Sequence, residues 1–213
     1  MVVETQRKLL YQLVKLFSAK DVLEIGTFTG TSAIAMALAL SEEKQRNGCG
    51  GQIVSLEIDP KAQAVARKYI EKLGLDDCVD LRLGPGLESL AAFAKEQPER
   101  QFDFVFIDAD KPGYVGYYDF IMDNNLLSDR GVIIADNVLF FGQVHRHAGY
   151  DTSDSNTIQA SDYIKGVAKQ MEKFNQHVSQ DPRTRVVMLP LFDGMSIITK
   201  NNSQGSHPNN NKL

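Results

Sequence analysis

The chain has 213 residues, 43% of them hydrophobic and 23% charged, and a formal net charge of −4. That length and composition fit one globular domain with a sizeable core, and the acidic balance argues against broad attraction to nucleic acid or anionic membrane. No run approaches the ~20 apolar residues of a membrane span, and "MVVETQRKLL" lacks a signal peptide's apolar core. Two cysteines, Cys49 and Cys78, make neither a disulfide framework nor a CxxC metal pair. The expectation is a cytoplasmic protein whose cysteines are free thiols.

Positions 4–18, "ETQRKLLYQLVKLFS", carry Leu9, Leu10, Leu13, Val14, Leu16 and Phe17 near helical spacing. "DVLEIG" (21–26) reads as a short buried strand, "TSAIAMALALSEE" (31–43) as a helix and "NGCGG" (47–51) as a turn. A second strand, "IVSLEID" (53–59), precedes a helix from Pro60 to Leu73, with proline well placed in its first turn. "CVDLRLG" (78–84) is a weaker third strand. Helix 86–96 leads into "FDFVFID" (102–108), helix 114–125 and "GVIIADN" (131–137). A polar loop, a helix over 157–179 and the strands "RVVMLP" and "SIITK" complete the set.

Strands that alternate with helices imply βαβ units, hence an α/β doubly wound sheet of seven mostly parallel strands. Only "LFDG" joins the last two strands, too short for a crossover, so they should form an antiparallel hairpin at one edge. A single domain is expected over 1–200, with the polar tail 201–213 disordered.

Ligands of such sheets sit beyond the carboxyl ends of the strands, near the point where strand order reverses. After strand one, "EIGTFTG" offers Glu24, Gly26 and Gly30, either a ligand loop or an ordinary strand-to-helix turn. A dinucleotide fingerprint would need glycines at 28 and 31, where Phe28 and Thr31 stand, and Gly-Lys-Ser/Thr is missing too. A polar ligand without a leading phosphate, such as S-adenosylmethionine, fits better, with Glu24 for an ammonium group. Glu57, ending strand two, could accept both ribose hydroxyl protons. Asp108 follows strand four and Asp136-Asn137 follow strand five. Neighbouring strand ends would bring these together as a hard-oxygen set suited to Mg²⁺. Asp-Asn after a strand is also an ordinary cap or turn. Lys111 could reach the same crevice as a general base, although a lone lysine is more often a solvated charge.

"VLEIGTFTGTSAIAMA", "IVSLEIDP", "FDFVFIDADKPGY", "GVIIADNVLFFG" and "LPLFDGMSI" together resemble the cation-dependent O-methyltransferase family, which includes catechol and caffeoyl-coenzyme A O-methyltransferases. The resemblance covers about residues 4–200. It implies a class I methyltransferase fold, S-adenosylmethionine and a divalent cation, usually Mg²⁺. Asp108, Asp136 and Asn137 match the family's metal ligands, and Lys111 its catalytic base. Glu24, Gly26 and Ser32 match contacts to the cofactor's methionine portion, and Glu57 the ribose-binding acid. Asp108 borders the cofactor as well, and Asp110 matches a cofactor contact of the caffeoyl-coenzyme A branch. Ala109 and Asp110 stand where the catechol branch has His and Trp. Gly86 stands where Ala or Ser is more usual, which would loosen the adenine pocket.

The implied reaction is methylation of one oxygen of a vicinal diol, catechol-type or caffeoyl-thioester-type. Loops 112–118 and 140–163 should set selectivity, and a homodimer is implied. His145 and His147, in "GQVHRHAGYDTSDSN" (142–156), read as surface residues. Family members carry further residues ahead of the helix that begins here near Glu4. Two other classes stay open: a catalytically weak binding protein on the same fold, and a nicotinamide-dependent oxidoreductase. A nucleic-acid methyltransferase lacks support, because an Asn/Asp-Pro-Pro-Tyr motif and a basic stripe are both missing.

Overall fold

In the computed structural model, which describes residues 2–48, 50–149 and 161–201, the apolar runs assemble into one sheet. Its strands are β1 (Asp21–Ile25), β2 (Gln52–Glu57), β3 (Val79–Leu83), β4 (Phe102–Ile107), β5 (Leu127–Asp136), β6 (Thr184–Leu189) and β7 (Met195–Lys200). Their order is β3-β2-β1-β4-β5-β7-β6. β1 to β5 run parallel, while β7 lies antiparallel to both β5 and β6. The expected C-terminal hairpin is therefore present, and strand order reverses between β1 and β4.

The helices are α1 (Glu4–Leu16), α2 (Thr31–Asn47), α3 (Pro60–Lys72), α4 (Gly86–Glu96), α5 (Tyr114–Asp123), α6 (Gln143–His147) and α7 (Asp162–Gln180). Alternation along the strands divides the core between the two faces of the sheet. Leu23, Ile25, Val105, Ile107 and Ile133 pack with Leu90, Phe93, Tyr118, Met171 and Phe174 of α4, α5 and α7. Val22, Ile53, Phe104, Phe106 and Ile134 pack with Leu10, Val14, Met36 and Ile70 of α1, α2 and α3. Central strands buried on both sides explain why "VLEI" and "FDFVFI" read as nearly continuous apolar runs.

Three differences from the sequence reading have local causes. β5 begins at Leu127, before the expected 131, because Leu127 pairs with Phe102; the register then shifts before Phe104 meets Val132. The polar loop expected after β5 contains the short helix α6, anchored by buried Val144. α7 is described from Asp162, with Ser161 accepting from the Ile164 N–H as its cap. The expected residues 157–160 lie outside the described residues, as do Cys49 and the tail from 202. Cys78 keeps a free thiol, which burial pushes up to about 11. No helix among the described residues is long and apolar enough to cross a membrane.

Candidate active site

A cavity of about 360 Å³ opens where the strand order reverses, lined by Gly26, Ser32, Glu57, Gly86, Asp108 and Asp110, with Val2, Phe28 and Tyr117 completing parts of its wall. The loop after β1 shapes one side. Gly26 has φ +101°, and a Cβ there would stand 2.1 Å from the Asp108 carbonyl oxygen. No other residue type fits that approach.

Glu24 lies behind this loop, fully buried on the face it shares with Val22. Ser55 Oγ donates to Glu24 Oε2, and Thr27 Oγ1 lies 2.5 Å from Ser55 Oγ. Oε1 is buried without a hydrogen-bond partner, an oxygen that a donor brought close to it would satisfy. Burial pushes the Glu24 carboxyl up to about 7; the nearby Ser32 and Ser55 hydroxyls pull the other way, and the charges of Asp108 and Glu57 add to the rise.

Glu57 clasps two loops. Its Oε2 accepts from the Phe28 N–H at 2.6 Å, and its Oε1 from those of Ile58 and Asp59 at 3.0 and 2.8 Å. Those three bonds use much of its accepting capacity. Gly86 does not leave the expected gap: a Cβ there would meet the Tyr117 ring at 2.7 Å. Tyr117 fills the space because its hydroxyl donates to Asp110 Oδ1 at 2.5 Å. Asp110 also caps the 3-10 turn Lys111–Gly113, accepting from the Gly113 N–H at 3.1 Å.

Beside the cavity, the parallel register Ile107↔Ala135 carries Asp108 and Asp136 off neighbouring strand ends together. Burial raises the Asp136 carboxyl to about 6, and the charge of Asp108 adds to the rise. Asp136 Oδ1 accepts from the Asn137 N–H at 2.8 Å, and Asn137 itself takes φ +60°. Lys111 Nζ donates to Asp108 Oδ1 at 3.2 Å and to the Tyr114 hydroxyl at 2.6 Å. That hydroxyl lies 3.1 Å from the carbonyl oxygens of both Ile107 and Asp136, so Tyr114 ties the lysine to both strand ends.

No cluster of three or more His, Cys, Asp or Glu residues is arranged for a metal among the described residues. The expected set has two carboxylates, and its third donor is the Asn137 amide. As donor chemistry, carboxylate and amide oxygens fit a hard cation such as Mg²⁺ and do not fit a soft one. The structure thus brings Asp108, Lys111 and Asp136 together, with Asn137 next in the chain, and gathers the other expected residues around the cavity, Glu24 just behind its wall.

Sequence reasoning missed Thr27, Ser55 and Tyr114. Ser55 left a trace, a polar residue in the middle of the apolar run "IVSLEI". His145 and His147 lie on α6, where His147 Nε2 sits 3.2 Å from Glu172 Oε2.

Comparison with known proteins decides the family. The family model described as O-methyltransferase matches residues 1–201. This chain belongs to the O-methyltransferase family. It is 34% identical over 196 residues to tricin synthase 1 of Oryza sativa subsp. japonica, which covers 90% of this chain and 71% of that protein. It is 32% identical over 188 residues to caffeoyl-CoA O-methyltransferase 1 of Eucalyptus globulus, over 88% and 70% of the two chains. Among solved structures, the SAH-bound methyltransferase PaMTH1 of Podospora anserina superposes with a TM-score of 0.82 at 33% identity, over 95% of this chain and 80% of that one. The expected class I, S-adenosylmethionine-dependent O-methyltransferase is borne out in family, fold and activity class, and its likeness is to the caffeoyl-CoA type.

Proposed function

We propose that this O-methyltransferase methylates one hydroxyl of a vicinal diol, catechol-type or caffeoyl-thioester-type, with the help of a divalent cation such as Mg²⁺. The observation that carries this reading is the shared position of Asp108. It lines the cavity assigned here to the cofactor, and it belongs to the cluster of Asp136 and Lys111. Donor and acceptor would therefore meet across one residue.

S-adenosylmethionine supplies a methyl group already activated by its sulfonium charge. Glu24 holds the cofactor's ammonium group on its unpartnered Oε1. Glu57 takes the ribose hydroxyls with the accepting capacity its backbone bonds leave, and Gly26, Ser32, Gly86 and Asp110 shape the walls. Asp108, Asp136 and Asn137 would hold the cation, whose charge would ease loss of a proton from the substrate hydroxyl. Lys111 accepts that proton on Nζ. Its bonds to Asp108 and Tyr114 fix the direction left for the lone pair, which is the orientation a general base needs. The oxygen then forms a bond to the methyl carbon as the carbon–sulfur bond breaks in line. The products are a methyl ether and S-adenosylhomocysteine, and no covalent enzyme intermediate is needed.

The missing glycine fingerprint and the family match weigh against the oxidoreductase alternative. We extend the proposal to a single catalytic domain over 1–200, a cytoplasmic location and a homodimer. The test is methyl transfer from labelled S-adenosylmethionine to catechols and caffeoyl thioesters, with Mg²⁺ and with chelator. Turnover that vanishes with chelator is expected. Cofactor binding without turnover on any diol would favour the weak binding protein.

A further inference from the structure

Asp136 has a partner from the far end of the chain. Gln6, in the first turn of α1, donates from Nε2 to Asp136 Oδ2 at 2.6 Å across 130 positions. Gln6 is 4% exposed, whereas the other buried residues of α1 are Leu10, Leu13 and Val14. Burying an amide among apolar side chains is unfavourable unless it is hydrogen-bonded, and Asp136 supplies that bond. The Asn137 N–H occupies the other oxygen, Oδ1. Each carboxylate oxygen therefore keeps one lone pair free, and the carboxylate plane is held from two sides. Val2, four residues before Gln6, lines the cofactor cavity.

We infer that Gln6 is a positioning residue for the cation site: from the first turn of α1 its N–H fixes the orientation of the Asp136 carboxylate. The inference rests on the proposed roles of Asp108, Asp136 and Asn137. It adds a residue that touches neither cofactor nor substrate and acts through Asp136. Partners that orient a ligating carboxylate typically govern metal affinity by about 10–100-fold.

The experiment titrates Mn²⁺ into the metal-stripped full chain with S-adenosylhomocysteine present, following free Mn²⁺ by electron paramagnetic resonance. Two variants of opposite polarity are compared with the wild type. Gln6→Met keeps the unbranched length without a donor; Gln6→Asn keeps the amide one methylene short of Asp136. Both should weaken Mn²⁺ binding about tenfold, whichever way their thermal midpoints move, since a hydrogen bond serving stability alone would shift the midpoint and leave the metal affinity untouched. Wild-type Mn²⁺ affinity in either variant would overturn the inference while leaving the cation site intact. A wild-type chain that binds no Mn²⁺ would overturn both.

Discussion

Glu24 shows how one buried carboxyl can link cofactor binding to pH. Its ordinary value of 4.5 rises to about 7, chiefly through burial. The folded chain thus keeps the proton over a range where the unfolded chain has lost it, and ionisation costs stability as pH climbs from 4.5 through about 7. In its proposed role, pairing with a cofactor ammonium would reverse that preference. S-adenosylhomocysteine affinity should therefore strengthen as pH rises, by up to about tenfold per unit, and level off above about 7. Glu24→Gln should flatten the profile and weaken binding by roughly 10–100-fold. Calorimetric titration across this range checks it; a flat wild-type profile would break the assignment. Glu24, Glu57 and Asp108 were legible because each ends or interrupts an apolar run. Gln6 was not, because its partner Asp136 lies 130 positions away; Tyr114 was not, because its link to the Asp136 carbonyl exists only once β4 and β5 pair. In hindsight, Gln6 is a polar residue on the stripe that continues through Leu10 and Leu13.

At the scale of elements, parallel pairing of β4 and β5 converts two distant sequence segments into one cluster, and the apolar runs made that pairing readable. The early start of β5 and the helix α6 were hidden, because "LSDR" and "QVHRH" carry no apolar periodicity and depend on Phe102 and α7 for their placement. A second device ties α5, α7 and β6. Tyr118 on α5 donates to Asp181 Oδ2 at 2.9 Å, and Arg183 bridges Asp181 and Asp123 at 2.7 and 2.6 Å. The Arg183 guanidinium holds the Asp181 carboxyl down at about 2. A depressed carboxyl contributes stability above its unfolded value of 3.8, and that contribution fades as pH falls toward 2. Arg183 is nearly half exposed, so screening limits the effect to about 1 kcal/mol. Asp181→Asn should lower the urea midpoint at pH 7 and lose less than the wild type between pH 4 and pH 2. Parallel acid profiles for the two proteins would contradict this.

For the whole molecule, the two cores leave a crevice at the carboxyl ends of the central strands. The cavity wall and the Asp108–Lys111–Asp136 cluster meet there, and the proposed function divides labour between them: one would bind the methyl donor, the other a cation and the diol. Asp136 can separate the two, since it belongs to the cluster and does not line the cavity. The deciding measurement is Mg²⁺-dependent methyl transfer by Asp136→Ala, alongside its affinity for S-adenosylhomocysteine. Turnover should fall by roughly 10²-fold or more, with cofactor affinity within about twofold of wild type. Undiminished turnover, or equal loss of cofactor binding, would contradict it.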